Sequence, residues 1–155
     1  MTFAAQNFTR RYLKMGDEAE AKFLEVAGNL YGIDKSGSPR ATKVGLSRPT
    51  MDVRKLPTRI RHLPDFVTER SLVECQGIGR DQILKLKREK MDCLSFWNVI
   101  FPVELFVWDS YRKRYSITPL EDLNKMIDKG LATVGYFHEG KAVWQIDAEH
   151  LEWIK

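Results

Sequence analysis

The 155-residue sequence contains no long hydrophobic run, and this absence excludes two classes of protein. No stretch approaches the roughly 18 apolar residues of a membrane-spanning helix, and the N-terminus lacks the apolar core of a signal peptide. Cysteine is also scarce: Cys75 and Cys93 allow neither a disulfide framework nor a Cys/His cluster spaced for zinc. We therefore expect an intracellular, cytoplasmic and non-secreted protein without a membrane partner.

Composition and length indicate a single domain. The chain is 43% hydrophobic and 30% charged, which is typical of a globular protein with a sizeable core. It has no internal repeat, and its length fits one domain over residues 1–155. Residues 1–15 are polar and basic, which indicates either an arm that reaches a partner subunit or DNA, or a frayed terminus.

Negative charge is nearly absent from one window of the chain. Residues 35–61 contain a single acid, Asp52, and carry a charge of +7, while the whole chain carries +4. The basic residues of the window are Lys35, Arg40, Lys43, Arg48, Arg54, Lys55, Arg59 and Arg61. Residues 33–50 lack periodicity and are predicted to form a long basic loop. Such a strip predicts binding to nucleic-acid phosphates by these eight residues, and a solvated loop without a partner is the alternative.

The stretch from residue 63 to residue 79 has the pattern of a β-hairpin, because two short apolar runs flank a polar break. A two-residue loop at Glu69-Arg70 would place Asp65 directly opposite Glu74 in the antiparallel ladder. Directly opposed residues have Cβ atoms about 5 Å apart. The pattern therefore predicts two acidic side chains that face each other.

The facing pair, Asp65 and Glu74, is of like charge, which is destabilising unless something neutralises it. A divalent cation bound between the carboxylates would do so, and hard oxygen ligands suit Mg²⁺ or Mn²⁺. Gln76 lies two residues beyond Glu74 and shares its face of the sheet. The alternative is that both acids are ordinary solvated charges on a half-exposed sheet.

The Pro64-Asp65 pair, followed after eight residues by Glu74-Cys75-Gln76, resembles the core motif of the PD-(D/E)XK nuclease superfamily. The resemblance implies an α/β fold with a restriction-endonuclease-like core, in which a central mixed β-sheet is flanked by helices. A C-terminal helix and β-hairpin would follow this core. The motif normally ends in lysine, so Gln76 is a departure that removes a cationic side chain.

The same resemblance implies a metal-dependent DNA endonuclease that hydrolyses phosphodiester bonds. Asp65, Glu74 and the backbone carbonyl of Cys75 would bind Mg²⁺ or Mn²⁺, and the amide of Gln76 would orient the attacking water. Among small members, a homodimer that acts on branched DNA in the manner of a Holliday junction resolvase is favoured over a sequence-specific restriction-type enzyme. A non-catalytic nucleic-acid-binding protein that keeps the fold and an RNA-processing nuclease are further alternatives.

Three other side chains are candidates for this site. Glu20 follows Gly16 at the spacing with which a helix of the superfamily often supplies a further acid for the metal and for catalysis. It also completes an Asp17-x-x-Glu20 capping box, which is the competing explanation. Lys87 and Lys90 lie toward the packed side of a predicted helix, where either is a possible substitute for the missing cation, or a lysine whose stem lies along apolar surface.

Periodicity, caps and turn residues predict the remaining order of elements. The predicted elements are a helix over 17–31, a strand within 51–60, a helix over 80–97, a central strand over 103–108, a helix from 118 to 130, a hairpin of strands 131–137 and 141–146, and a short terminal helix capped by Asp147. The run from Tyr111 to Tyr115 interleaves three cations with two aromatic residues and predicts either a nucleic-acid contact or a solvated hairpin tip.

Overall fold

The computed structural model describes residues 3–46, 55–137 and 139–154, with side chains from residue 15 onward. Within these ranges the helices are α1 (Phe3–Tyr31), α2 (Thr58–Arg61), α3 (Arg88–Ile100) and α4 (Leu120–Asp128). The strands are β1 (Ala41–Lys43), β2 (Phe66–Thr68), β3 (Leu72–Ile78), β4 (Ile83–Lys87), β5 (Val103–Asp109), β6 (Arg114–Pro119), β7 (Ala132–Tyr136) and β8 (Ala142–Asp147), followed by a 3-10 turn at Ala148–His150. None of the described helices is long and apolar enough to span a bilayer.

In the described part of the chain the strands form two sheets. The larger has the order β1-β2-β3-β5-β6, in which β3 and β5 are parallel and the other neighbours are antiparallel. The smaller is antiparallel with the order β4-β8-β7. The predicted mixed α/β fold with a central mixed sheet flanked by helices is confirmed. The C-terminal hairpin, which was predicted only to follow the core, joins β4 in the smaller sheet.

Helix α1 covers one face of the larger sheet. Its residues Ala19, Phe23 and Ala27 are fully buried and pack against Val73 of β3 and Phe106 of β5. The Phe23 and Phe106 rings meet edge to face with centroids 5.4 Å apart, a geometry that stabilises beyond area burial alone. These contacts fix α1 over the strands that carry the acids.

The opposite face of the larger sheet packs against α3, α4 and the smaller sheet. One apolar cluster joins Leu105 of β5, Leu94 of α3, Leu123 of α4, Leu84 of β4 and Ile146 of β8, all fully buried. Strand β3 is thus enclosed on both sides, and six of its seven residues are buried. A polar side chain on β3 therefore lies inside the protein and needs a partner there.

Helix α1 is longer than the sequence predicted. It begins at Phe3 rather than Asp17, so residues 3–15 are helical and not a frayed terminus, while an arm that reaches a partner stays a prediction. A Cβ at Gly16 would meet nothing within 4 Å, and an open mid-helix glycine costs only about 1 kcal/mol relative to alanine. Because Asp17 lies inside the helix, the capping-box explanation of Glu20 is wrong.

The segment after the hairpin is a strand followed by a helix, not the single helix predicted over 80–97. Leu84 and Leu86 of β4 are buried while their neighbours are half-buried, which is the alternation of a strand. The helix predicted over 80–97 is therefore wrong for Ile83–Lys87. The three-residue spacing of Ile83 and Leu86 is compatible with a helix. The segment forms a strand because it pairs with β8, which is about 60 residues away in the chain.

The segments before the hairpin also differ in part from the prediction. Residues 41–43 of the predicted loop form β1, which pairs with β2. Of the strand predicted within 51–60, residues 51–54 lie outside the described residues. Residues 55–60 contain no strand, because the chain turns at Pro57 and enters α2. The prediction of a strand is therefore wrong for the described part.

The C-terminal third follows the prediction closely. Strand β5 lies between β3 and β6 as the predicted central strand, and Gly130, at φ 77°, follows the end of α4. The Asp147 carboxylate accepts a hydrogen bond from the Glu149 N–H at 3.0 Å and caps the 3-10 turn. Thr118 belongs to β6, so α4 begins at Leu120 rather than at residue 118 as predicted, and no side chain caps it.

Gly77 allows α1 to approach the centre of the sheet, since a Cβ there would lie 2.9 Å from the carbonyl oxygen of Met15. We expect Gly77→Ala to lower the free energy of unfolding by about 1–3 kcal/mol. For a chain of this length that corresponds to roughly 2–12 °C in the midpoint of thermal unfolding. Gly16→Ala is the matched control in α1, and should raise stability by about 0.5–1 kcal/mol. Equal midpoints for the two variants would contradict the packing described.

Candidate active site

The hairpin of β2 and β3 sets the position of the two acids. Its register pairs Val67 with Leu72, as the two-residue loop predicts. Asp65 directly precedes β2, and its Oδ2 accepts a hydrogen bond from the backbone N–H of Cys75 at 2.8 Å. The aspartate is thus tied to the strand residue that follows Glu74.

Glu74 is one of the most buried charged residues in the described chain, with 2% of its surface exposed. Its Oε1 accepts a hydrogen bond from Nε2 of Gln76 at 3.2 Å and forms a salt bridge with Nζ of Lys90. Its Oε2 is buried and has no hydrogen-bond partner among the described residues. A buried carboxylate oxygen without a partner is costly and points to a ligand.

Burial raises the pKa values of both acids, and the charge of Glu74 adds to the rise at Asp65. Burial, and then the charge of Glu74, raise the pKa of Asp65 to about 8, although the hydrogen bond from Cys75 opposes the change. Burial also raises the pKa of Glu74, while the adjacent Lys90 opposes it. The charge of Glu74 is therefore close enough to raise the pKa of Asp65, and at Glu74 the effect of burial exceeds the opposing effect of Lys90.

Glu20 joins this acidic group from α1. Its negative charge contributes to the raised pKa values of Asp65, Glu74 and Cys75. Glu20 Oε2 accepts a hydrogen bond from Nζ of Lys43 on β1 at 2.6 Å. This bond, followed by the charges of Glu20 and Asp65, raises the pKa of Lys43 despite the opposing effect of burial. The structure thus places a third acid and a second cation at the site.

The donor atoms fit a hard divalent cation in part. Carboxylate oxygens, one of them without a partner, are the ligands that Mg²⁺ and Mn²⁺ prefer. Within the described ranges, however, no group of three or more His, Cys, Asp or Glu side chains is close enough together to hold a metal ion. Asp65 and Glu74 stay the predicted metal ligands, and Glu20 is bonded to Lys43 in this structure.

The two lysines proposed as substitute cations have different partners. Lys90 lies in the first turn of α3 and pairs with Glu74 at the centre of the site. Lys87 pairs instead with Glu139 at 3.3 Å and lies 5.5 Å from the centroid of the Phe137 ring. Of the two, Lys90 alone contacts the acidic pair, so the structure favours it over Lys87.

The predicted basic strip divides into residues with different environments. Arg48 and Arg54 lie outside the described residues, and Lys35 and Lys55 are exposed. The other four are engaged by protein groups, namely Arg40 with Glu69, Lys43 with Glu20, Arg59 over the ring of Phe96, and Arg61 with Thr58 and Glu89. Binding of nucleic acid by these residues stays a prediction, with Lys35 and Lys55 the most available among the described ones.

The end of β1 supports Asp65 in a way that the sequence did not indicate. The backbone N–H groups of Val44 and Gly45 donate to the carbonyl oxygen of Asp65 at 2.9 and 3.1 Å. A Cβ at Gly45 would lie 3.0 Å from the Asp65 Cα and 3.2 Å from its Oδ1. Glycine therefore permits this approach, and no local pattern could have shown it because the partner is 20 residues away.

His62 is a second residue that the sequence did not single out. It follows α2 and precedes the hairpin, with 21% of its side chain exposed and Nε2 4.0 Å from a Glu89 oxygen. Burial, and then the positive charge of Lys90, lower its pKa. A neutral imidazole therefore lies near the cation of the site at neutral pH.

Two solved structures are similar to this chain. One is Hjc, a Holliday junction resolvase from the archaeal hyperthermophile Archaeoglobus fulgidus, with 12% identity, a TM-score of 0.48, and 87% of this chain and 85% of that chain covered. The other is D212, a nuclease from a fusselovirus, with 8% identity, a TM-score of 0.47, and 98% and 88% covered. No family model and no curated protein matches the sequence. At these TM-scores the likeness assigns neither a family nor an activity, so the function must follow from the site itself.

Burial of Asp65 makes the stability of the metal-free protein depend on pH. Because its pKa rises from 3.8 to about 8 on folding, the folded state binds the proton more tightly than the unfolded state. Protonation of Asp65 therefore stabilises the folded state, and this contribution to the free energy of unfolding is complete below about pH 4 and is lost as the pH rises toward 8. Asp65→Asn stays uncharged and can still accept from Cys75, so we expect it to be more stable than wild type at pH 8 by about 1–3 kcal/mol.

The measurement is thermal unfolding in chelator at pH 5 and pH 8. The wild-type midpoint should fall more between these pH values than that of Asp65→Asn. Asp128→Asn, at an exposed carboxylate of α4, is the control and should follow wild type. Parallel behaviour of wild type and Asp65→Asn would show that Asp65 is not buried beside a second acid.

Proposed function

We propose that this protein is a metal-dependent endonuclease that hydrolyses phosphodiester bonds in DNA. The observation that supports the proposal is the pair formed by the half-buried Asp65 and the fully buried Glu74, in which one glutamate oxygen has no hydrogen-bond partner among the described residues. Burying two like charges is destabilising, so a functional reason for retaining them is expected. A cation that both carboxylates share supplies that reason.

Asp65 and Glu74, with the backbone carbonyl of Cys75, would hold Mg²⁺ or Mn²⁺, and Glu20 would join them after release from Lys43. When bound, such an ion stabilises the negative charge that builds up on the scissile phosphate and the leaving oxygen. Asp65 is already oriented by the N–H of Cys75. Preorganised ligands of this kind reduce the cost of ordering the site when the ion arrives.

Lys90 and Gln76 take the roles that a lysine at position 76 would fill. The Lys90 ammonium is held at Glu74 and supplies the positive charge that stabilises a phosphate as its own charge increases. The Gln76 amide donates to the same carboxylate and fixes its orientation. An amide is neither a cation nor a base, so Gln76 positions groups and does not transfer a proton.

We propose branched DNA as the substrate and a homodimer as the active form. One acidic site of this kind, the one that the described residues contain, would cut one strand, and two subunits are needed to cut a pair of strands. The basic residues 35–61 suit contacts to phosphates, while a large recognition region for one base sequence is not evident. Elution volume and light scattering test the dimer.

One observation favours a second candidate, a non-catalytic nucleic-acid-binding protein. Glu20 and Glu74 are both paired with lysines, and the described residues contain no group of three acids positioned for a metal. A site whose acids are neutralised by lysines does not need an ion. Binding of Mn²⁺, measured by calorimetry, distinguishes this candidate from the enzyme.

Isosteric removal of either acid tests the proposed activity. We expect Asp65→Asn and Glu74→Gln each to lower cleavage of branched DNA in Mg²⁺ or Mn²⁺ by about 100-fold or more. Binding of the same DNA in chelator should be unchanged or tighter, because a negative charge is removed. The rise in thermal midpoint on addition of Mn²⁺ should also be lost. The substrates are linear, nicked, branched and single-stranded DNA, with RNA alongside.

Glu121→Gln, on the exposed surface of α4, is the matched control and should cut at the wild-type rate. Cleavage by Asp65→Asn at that rate would remove the proposal of an active site here. Failure of wild type to bind Mn²⁺ would favour the non-catalytic protein.

The two lysines of the β4–α3 segment provide an internal comparison. We expect Lys90→Met to lower cleavage by about 100-fold, since it removes the cation at Glu74, and Lys90→Arg to retain part of the rate. Lys87→Met carries the same chemical change three residues away, where the partner is Glu139, and should retain most of the activity. The measurement is single-turnover cleavage with saturating metal, and equal losses in Lys90→Met and Lys87→Met would contradict the assignment.

A further inference from the structure

A second basic surface lies at the carboxyl ends of the parallel strands β3 and β5. It consists of the β5–β6 turn, residues 110–113, and the adjoining loop, residues 79–82; we name it the basic tip. The backbone N–H and the hydroxyl of Ser110 both donate to the carbonyl oxygen of Ile78, each at 3.1 Å. The two loops are therefore bonded into one unit.

Asp109 holds the basic tip in place. This residue is fully buried, and one of its oxygens accepts from the N–H groups of Tyr111 and Arg112 and from the Gln82 amide, each at 3.0 Å. The other oxygen accepts from Nε of Arg114 at 2.9 Å. Because the carboxylate is buried and fully bonded, the turn has one defined shape.

The backbone of the basic tip is also strained. Gln82 and Lys113 adopt φ values of 56° and 53°, in the left-handed region that residues other than glycine rarely occupy. Conformations of this kind cost free energy and persist only where the surroundings enforce them. The tip is thus a preorganised projection, and a partner that binds it does not have to order it.

The run from Tyr111 to Tyr115 divides into exposed residues and half-buried residues that contact the rest of the protein. Arg114 is bonded to Asp109 and lies 4.2 Å from the centroid of the Trp153 ring. Tyr115 stacks on Phe106, with centroids 5.5 Å apart. These two residues therefore stabilise the fold, which leaves the first three residues of the run to contact a partner.

The available side chains are three cations and one aromatic ring. Arg80, Arg112 and Lys113 are exposed and form no ion pair within the described part of the chain. Tyr111 has 56% of its surface exposed, and no ring contact covers it within the described part of the chain. Acids near the tip are engaged, since Asp109 is buried and Asp81 pairs with Lys85 at 3.0 Å.

We infer that the basic tip binds nucleic acid with unpaired bases, with the three cations on phosphates and one base stacked on Tyr111. The inference rests on the proposed function, and it adds a contact that the basic residues 35–61 do not supply. Proteins that bind single-stranded nucleic acid combine cations along the phosphate backbone with exposed aromatic rings on which bases stack. Unpaired bases occur at a branch point or a frayed end, whereas in an intact duplex no base face is free for Tyr111.

The cations are tested by the salt dependence of binding in chelator, where catalysis plays no part. We expect the triple variant Arg80→Gln, Arg112→Gln, Lys113→Gln to lower the slope of log affinity against log salt by about 2, since each phosphate that a cation neutralises adds about 0.7–0.9 to that slope. The control, Lys125→Gln, Lys129→Gln, Lys141→Gln, removes the same charge from positions outside the tip. Its slope should change by less than about 0.5.

The aromatic contact is tested with substrates that differ only in unpaired bases. Tyr111→Ala should weaken binding to a single strand and to a four-way junction with unpaired bases at its centre by about 5- to 150-fold. Binding to a blunt duplex should be unchanged, and Tyr111→Phe should restore the affinity for both unpaired substrates. Thermal unfolding of each variant identifies any loss of fold.

The outcomes separate a failure of the inference about the basic tip from a failure of the proposed function. If wild type binds DNA and the tip variants bind every substrate as wild type does, the inference about the tip is wrong and the proposed nuclease is unaffected. The inference is also wrong if the control variant at Lys125, Lys129 and Lys141 lowers the salt slope as much as the tip variant does. It is wrong as well if Tyr111→Ala weakens binding to the blunt duplex alone. If wild type binds none of the substrates, the proposed function itself fails.

Discussion

Two carboxyl groups on one hairpin, Asp65 and Glu74, have little access to solvent, and this is the constraint on which the rest of the structure depends. Asp65 and Glu74 lie where α1, β1 and α3 converge on β3, and each element contributes a charged group to the site. The N–H of Cys75 holds the aspartate, Lys90 holds the glutamate, and one glutamate oxygen has no partner among the described residues. Charges placed in this way cost free energy of folding, and a cation shared between them would recover it.

The register of the β2–β3 hairpin was predictable because its geometry is local. Two apolar runs around a two-residue loop define the register, and Asp65 and Glu74 are only nine positions apart. The positions of Glu20, Lys43 and Lys90 depend on packing between distant segments. Sequence spacing proposed Glu20 and Lys90 among alternatives, but assigned Lys43 to a phosphate contact because its partner lies in another element.

The errors in the fold have a common physical cause. Apolar spacing at Ile83 and Leu86 satisfies a helix, and the competing β8 strand lies far along the chain. Local sequence around Gly16 predicts the start of a helix, yet α1 continues through this residue, and a Cβ there would meet no atom within 4 Å. The smaller sheet was not predicted because β4 pairs with β8, and helices α3 and α4 separate these two strands in the sequence. Elements that local sequence alone determines, such as the C-terminal hairpin, were assigned correctly.

The parallel pairing of β3 and β5 has a consequence for how such a site can change. Parallel neighbours oblige the chain to cross over between them, and here the crossover is β4 with α3, which passes across the sheet face that bears Glu74. A positive group carried by the crossover and one carried by β3 can therefore reach the same carboxylate from separate segments. Residue 76 on β3 can therefore be neutral, as Gln76 is, while Lys90 on the crossover supplies the positive charge at Glu74. The position of a cation at this carboxylate thus depends on the topology of the sheet more than on one short motif.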